Sequence, residues 1–372
     1  MRRKLLGFVR PYILQPLSSK KGMILTTSEH FFLSFTDTLR YIFLHYKIGV
    51  EDKILVPAFY CPDTLRFLSQ VATVVLYQIN RDFSINKASY FEQVAKFRPR
   101  VIINYSFSGL SLTSEELVRC KALGADSTVI IEDCAHRIII PEDLPELGPN
   151  HFYVTSIRKH SPLQGSHLIG NLPPADHLST RFNWYKLRCY LLHLIQGGLS
   201  LAAYLGRSPW LYERSSDVFL HHDQLIGSFS RPTRGSRFSF ELYKFINLRK
   251  VRQHQKEMAE MYNRQLKTIK SPLLKVLADE VVKAGEWIYY PLFVEPKIQV
   301  NLITYLEEKN IFADMLWETP TFQDAQIDHG FYQSFIILPV HWLIKKEDVI
   351  LICQEIAFFL SSQNRLHDAN KI

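Results

Sequence analysis

The sequence predicts an α/β fold with a mostly parallel sheet, followed by a smaller C-terminal α+β domain. Two observations carry this expectation. Short Val/Ile-rich runs alternate with helical patterns through the first half of the chain, the signature of βαβ units with parallel strands covered on both faces. Strand and helix patterns then alternate again between Trp287 and Leu360. The composition permits a large core: 372 residues, 47% hydrophobic, 13% aromatic and only 22% charged. Such a chain is too rich in core-forming residues to be intrinsically disordered.

The elements follow in order. Residues 1–24 form an N-terminal segment that opens Arg2-Arg3-Lys4 and lacks the unbroken apolar stretch of a secretory signal, so a cytoplasmic protein is expected. Residues 25–235 read as the large domain. Its buried strands are expected at Ile54–Phe59, Ala72–Ile79, Arg100–Tyr105 and Thr128–Glu132, each a compact apolar run with polar, Gly or Pro borders. Helical patterns fall at Thr36–Tyr46, Ser89–Phe97 and Ser114–Leu123. His151–Ile157 and Ser166–Leu172 are two further strands, with Pro162 and Gly165 in the turn between them, and resemble a hairpin more than a βαβ unit.

Residues 173–235 differ from what precedes them, being aromatic, basic and poorly periodic, and they read as a helical insertion. Inside it, Tyr190–Leu205 is strongly apolar, yet it is shorter than the ~20 residues of a spanning helix and contains His193, Gln196 and Gly197-Gly198. A helical hairpin is expected there, and no integral membrane association. Residues 236–372 form the small domain. It opens with one long helix over Phe240–Leu266, continues through Trp287–Val294, Val300–Lys309, Ile311–Trp317, Ser334–Val340 and Lys346–Leu360, and frays after Ser361.

The 44 Lys and Arg against 36 Asp and Glu give a net charge of +8, which points to an anionic partner. No nucleic-acid motif accompanies it. Five separated cysteines fit reduced thiols, no metal-ligand spacing occurs, and neither a dinucleotide fingerprint nor a P-loop is present. His221-His222-Asp223 has no third ligand at a useful spacing.

Two short segments carry chemistry. In Ile130-Ile131-Glu132-Asp133-Cys134-Ala135-His136 an apolar strand ends in a carboxylate, where ligands of open α/β sheets sit. Asp133 could receive a cationic ring nitrogen or simply cap a helix, and His136 could join it or face solvent. In Thr155-Ser156-Ile157-Arg158-Lys159-His160 a strand leads into a lysine able to capture a carbonyl if its pKa is lowered, or into a solvated basic loop.

The order of these two segments, with their flanks, resembles the DegT/DnrJ/EryC1/StrS sugar aminotransferases. The likeness runs from about Thr27 to Phe359 and rests on Val56-Pro57-Ala58-Phe59, Val129–His136, Ser156-Ile157-Arg158-Lys159 with Pro162 and Gly165, and Leu338-Pro339-Val340-His341 before Glu347-Asp348. The resemblance implies a fold-type I enzyme that uses pyridoxal 5′-phosphate (PLP), works as a homodimer, and passes an amino group from an amino acid such as glutamate to a keto sugar, nucleotide-linked. It implies that Lys159 binds the cofactor covalently, Asp133 pairs with its ring nitrogen and His136 lies near its phenolic oxygen. Ser156, Thr36 and the start of the helix at Ser34–Asp37 would hold its phosphate, and Tyr60 or Phe59 would stack on its ring in place of Cys61.

Several positions depart from the family pattern. Phe35 replaces a glycine, Asp37 puts a carboxylate near the phosphate, Ser236 replaces an asparagine, and Gly165-Ser166 stands for a glycine pair. Arg231, Arg234 and Arg237 are candidates to bind a sugar-linked diphosphate. A sugar dehydratase, or a member that binds ligand without turnover, is the alternative reading.

Overall fold

The computed structural model describes residues 6–7, 16–17, 30–105, 109–125, 127–140, 143–144, 148–161, 163–173, 178, 184–227, 231–318 and 329–369, with side chains to 363. Pro162 lies outside them, as does most of the N-terminal segment. The strands are β1 (Leu6–Gly7), β2 (Phe31–Phe32), β3 (Lys53–Pro57), β4 (Thr73–Tyr77), β5 (Val101–Tyr105), β6 (Val129–Cys134), β7 (His151–Thr155), β8 (Ser166–Ile169), β9 (Leu274–Lys275), β10 (Tyr289–Val294), β11 (Ile311–Phe312) and β12 (Phe335–Pro339). The helices are α1 (Phe35–Tyr46), α2 (Pro62–Val71), α3 (Lys87–Phe97), α4 (Ser114–Leu123), α5 (Trp184–Gly206), α6 (Pro209–Gly227), α7 (Arg237–Tyr243), α8 (Leu248–Leu266), α9 (Asp279–Ala284), α10 (Pro296–Glu308), α11 (His329–Tyr332) and α12 (Lys346–Ala369).

The large sheet has seven strands in the order β2-β8-β7-β6-β5-β3-β4. Strands β4, β3, β5, β6 and β7 are parallel, and β8 and β2 complete one edge antiparallel. Every residue of β5, β6 and β7 is buried, which is why these strands read as unbroken apolar runs rather than alternating ones. Strands β7 and β8 form the expected hairpin. Its turn packs tightly: a methyl group on Gly165 would stand 2.0 Å from Cζ of the buried Phe31 ring. Gly165→Ala is expected to destabilise the chain by about 1–3 kcal/mol, read as a lower urea midpoint with an unchanged slope.

A second sheet, β12-β10-β9, is antiparallel, and β1 pairs in parallel with β11. Phe59 at the end of β3 stacks into Phe331, Tyr332 and Phe335, and Phe83 meets Phe293, so one aromatic cluster joins the two sheets. Polar contacts run alongside: Glu286 takes Arg137 at 3.0 Å and Arg252 at 3.1 Å, and Arg252 reaches Asp143 at 2.5 Å.

Four expectations need correction. The single helix over Phe240–Leu266 is two, α7 and α8, because the Asn247 side chain accepts the Lys250 amide and starts a new helix. The strand expected to reach Trp317 stops at Phe312. The C-terminal helix does not end at Leu360 but runs to Ala369. The helical hairpin expected within Tyr190–Leu205 is instead one unbroken helix, α5, which continues through Gly197-Gly198; α6 packs back on it, so the two-helix unit spans residues 184–227.

Candidate active site

Strand β6 lies between β5 and β7 in the parallel part of the sheet, and ligands of open α/β sheets bind beyond the carboxyl ends of such strands. Asp133 stands there with a buried carboxyl group. Tyr60 Oη donates to Oδ2 at 2.5 Å and the Ala135 amide donates to Oδ1 at 2.8 Å. Burial pushes this carboxyl up to about 6, against those two donors and the charge of Lys159. A carboxylate offers about four lone-pair positions, so Asp133 can accept a further donor.

Lys159 ends a tight turn, Ile157–Lys159, that follows β7. The turn is closed by Ile157 N–H on the Gly165 carbonyl at 3.0 Å and Lys159 N–H on Ser156 at 3.1 Å. The ammonium lies 5.8 Å from the ring centre of Phe219 on α6, and its charge acts on both Asp133 and the Cys61 thiol. Lys159 and Asp133 therefore lie within electrostatic reach of one another. Arg158, adjacent in sequence, pairs with Asp223 on α6 at 2.6 Å, so its charge is matched by a carboxylate rather than turned on Lys159.

Aromatic rings enclose the carboxyl group. His136 is buried, with Trp317 edge-on at 5.5 Å and Tyr105 at 6.4 Å. Tyr105 and Trp317 also pack against Tyr60, at 5.6 and 6.4 Å. Trp317 was missed as a site residue; its only sequence signal is an aromatic side chain just past a strand. Phe59 packs into the aromatic cluster between the sheets and also lies 4.8 Å from Trp317. Tyr60 hydrogen-bonds Asp133 through its hydroxyl, a role the sequence reading did not foresee. Cys61, half-exposed, occupies the N-cap position of α2 without a side-chain hydrogen bond to the helix, and burial of its thiol raises its pKa.

The start of α1 forms a second centre. Ser34 caps the helix by accepting the Asp37 amide at 3.1 Å, and the amides of Phe35 and Thr36 fall among those with no acceptor inside a helix. Asp37 is wholly buried. Its carboxylate accepts Ser34 Oγ at 2.5 Å and the Thr233 amide at 3.1 Å, with Arg40 at 3.9 Å and Lys186 nearby. Burial raises this carboxyl to about 7 in spite of those partners. Thr36 is half-buried, and Ser156 is buried just before the lysine turn.

The three arginines expected to act together are placed differently. Burial depresses the Lys186 pKa and the charge of nearby Arg234 adds to this, whereas Arg231 and Arg237 are exposed. The Ser236 amide donates to Tyr190 Oη at 2.6 Å. His222 packs on His193 at 5.6 Å, and Asp223 is taken by Arg158.

No protein-family model and no curated protein matches the chain. Solved structures do. A DegT DnrJ EryC1 StrS aminotransferase from Brucella abortus shares 17% identity over 89% of this chain and 85% of its own, with a TM-score of 0.56. The PLP form of the sugar aminotransferase Spr1654 from Streptococcus pneumoniae gives a TM-score of 0.61 at 14% identity, covering 97% and 98%. The fold is that of the DegT/DnrJ/EryC1/StrS aminotransferases. PseC from Helicobacter pylori, an aminotransferase in pseudoaminic acid biosynthesis, adds a TM-score of 0.57 at 15% identity over 97% and 99%. At such identities the likeness is one of fold.

Proposed function

We propose that the chain is a PLP-dependent aminotransferase acting on a keto sugar, nucleotide-linked, with an amino acid such as glutamate as donor, and that it works as a homodimer. The observation that carries this reading is the proximity of Asp133 and Lys159: a buried carboxylate at the C-terminal end of β6 lies within electrostatic reach of the ammonium on the turn that follows β7. This pair fits the ring of the cofactor: Asp133 keeps acceptor capacity for a ring N–H, and His136 and Trp317 wall the same space. Bound there, the cofactor supplies an electron sink for the carbanion left when the amino donor loses its α-proton.

Lys159 holds the cofactor and carries the α-proton at Nζ. Asp133 accepts the ring N–H and keeps that nitrogen cationic, His136 holds the phenolic oxygen, and Thr36 and Ser156 hold the phosphate. The phosphate end fits when Asp37 is neutral, because an ionised carboxylate at the start of α1 repels a dianion. Arg234, beside Lys186, is the strongest of the three arginines for the sugar-linked diphosphate. Asp37 and the Tyr60–Asp133 hydrogen bond favour a second reading, a chain that binds ligand without turnover.

Absorbance separates the readings. The full chain incubated with PLP and freed of excess is expected to keep a band at the violet edge of the visible spectrum, and Lys159→Ala to lose it. Wild-type protein that stays colourless defeats the proposal. A band that glutamate and other amino donors leave unchanged points to binding without turnover.

A further inference from the structure

Helix α5 has its polarity reversed for a helix that rests on a protein core. The residues it buries are Lys186, Cys189, His193, Gln196, Ser200 and Ala203, a 3-4 stripe like a coiled-coil seam but mainly polar. These groups face partners: Ser200 Oγ meets Ser215 Oγ of α6 at 2.5 Å, Ser215 Oγ donates to the Gln196 carbonyl at 3.2 Å, and Lys186 lies by Asp37. The apolar residues point outward along the opposite stripe. Trp184 is 75% exposed, Leu194 63% and Leu205 68%, with Leu191 and Ile195 between them. A helix in contact with water normally shows the opposite arrangement.

Three features indicate what covers this face. Trp184 opens α5 and Trp210, also exposed, follows its end, so an indole stands at each end of a helix about 34 Å long, where aromatic rings settle between headgroups and hydrocarbon. Arg188 and Arg207 are exposed alongside the apolar residues, on a chain of net charge +8. An anionic lipid surface matches the sign of these two arginines. The outward stripe also offers few hydrogen-bonding side chains, while protein interfaces carry roughly one hydrogen bond per 100–200 Å².

We propose that α5 docks flat on an anionic phospholipid bilayer, apolar face down. By length and composition α5 could also cross a membrane, but its polar stripe packed against α6 holds it to the protein.

The test is co-sedimentation of the full chain with phosphatidylcholine vesicles, with and without phosphatidylglycerol. The protein is expected to pellet with the anionic vesicles, to be released by salt, and to bind the neutral ones about tenfold less. Leu194→Glu with Ile195→Glu should reduce binding by about tenfold or more while leaving the circular dichroism spectrum and the oligomeric state by light scattering unchanged. Arg188→Gln, a milder change, should weaken only the salt-sensitive part. Wild-type protein that remains in the supernatant of anionic vesicles overturns the proposal. So does a double variant that pellets like wild type but falls from dimer to monomer, which would assign the face to a second copy.

Discussion

Asp133→Asn is expected to lower amine transfer by about 10²–10³ in kcat, the scale of losing one preorganised electrostatic partner of the developing charge. Asparagine keeps the shape but cannot hold a ring nitrogen in its cationic form, so binding of the cofactor should suffer less than turnover. The wild-type rate should also fall on the acid side. Asp133 must be ionised to accept the ring N–H, and its carboxyl is pushed up to about 6 by burial, so activity is present above that pH and lost below it. Tyr60→Phe removes one donor to the carboxylate and should move this acid limb to higher pH. A pH–rate profile of the three proteins checks the argument. An Asp133→Asn enzyme as active as wild type would remove Asp133 from the chemistry.

Asp37→Asn is expected to stabilise the chain at alkaline pH. The Asp37 carboxyl is raised from 3.8 to about 7 by burial, so the folded protein binds a proton that the unfolded chain has released. Between these values stability falls as pH rises, and above about 7 the full cost of the buried charge is present. Asparagine can still accept the Thr233 amide and donate to Ser34 Oγ, so the hydrogen bonds survive while the charge is lost. The variant should melt several degrees above wild type at pH 8 and lose the excess near pH 4. It should also take up PLP more tightly at pH 8. Equal melting of the two proteins at pH 8 would show that Arg40 and Lys186 already balance the carboxylate.

The parallel sheet was legible because strands buried on both faces leave continuous Val and Ile runs, as at Val101-Ile102-Ile103 and Val129-Ile130-Ile131. The break between α7 and α8 was not, since apolar spacing continues across Asn247 and only the cap divides it. Asp133 and Lys159 could be singled out by the strands they end or follow, but nothing local to either indicated that they lie near one another; that expectation came from the motif order. The Tyr60 bond depends on which of two adjacent aromatic residues turns inward where β3 ends. Phe59 packs on Phe331, Phe335 and Trp317, partners that are all far away in sequence. Helix α5 appeared aperiodic because its apolar and polar residues both keep helical spacing while exchanging sides.

The aromatic cluster around Phe59 bears on how the molecule comes apart. Phe59 and Phe83 follow strands β3 and β4 of the large sheet, whereas Phe293 and Phe335 lie in β10 and β12 of the second sheet and Phe331 in α11 beside them. Neither half can keep its share of these rings from water without the other. A chain cut near residue 235 would expose them on both fragments, so each piece should aggregate when expressed alone, and the intact protein should melt in a single cooperative transition.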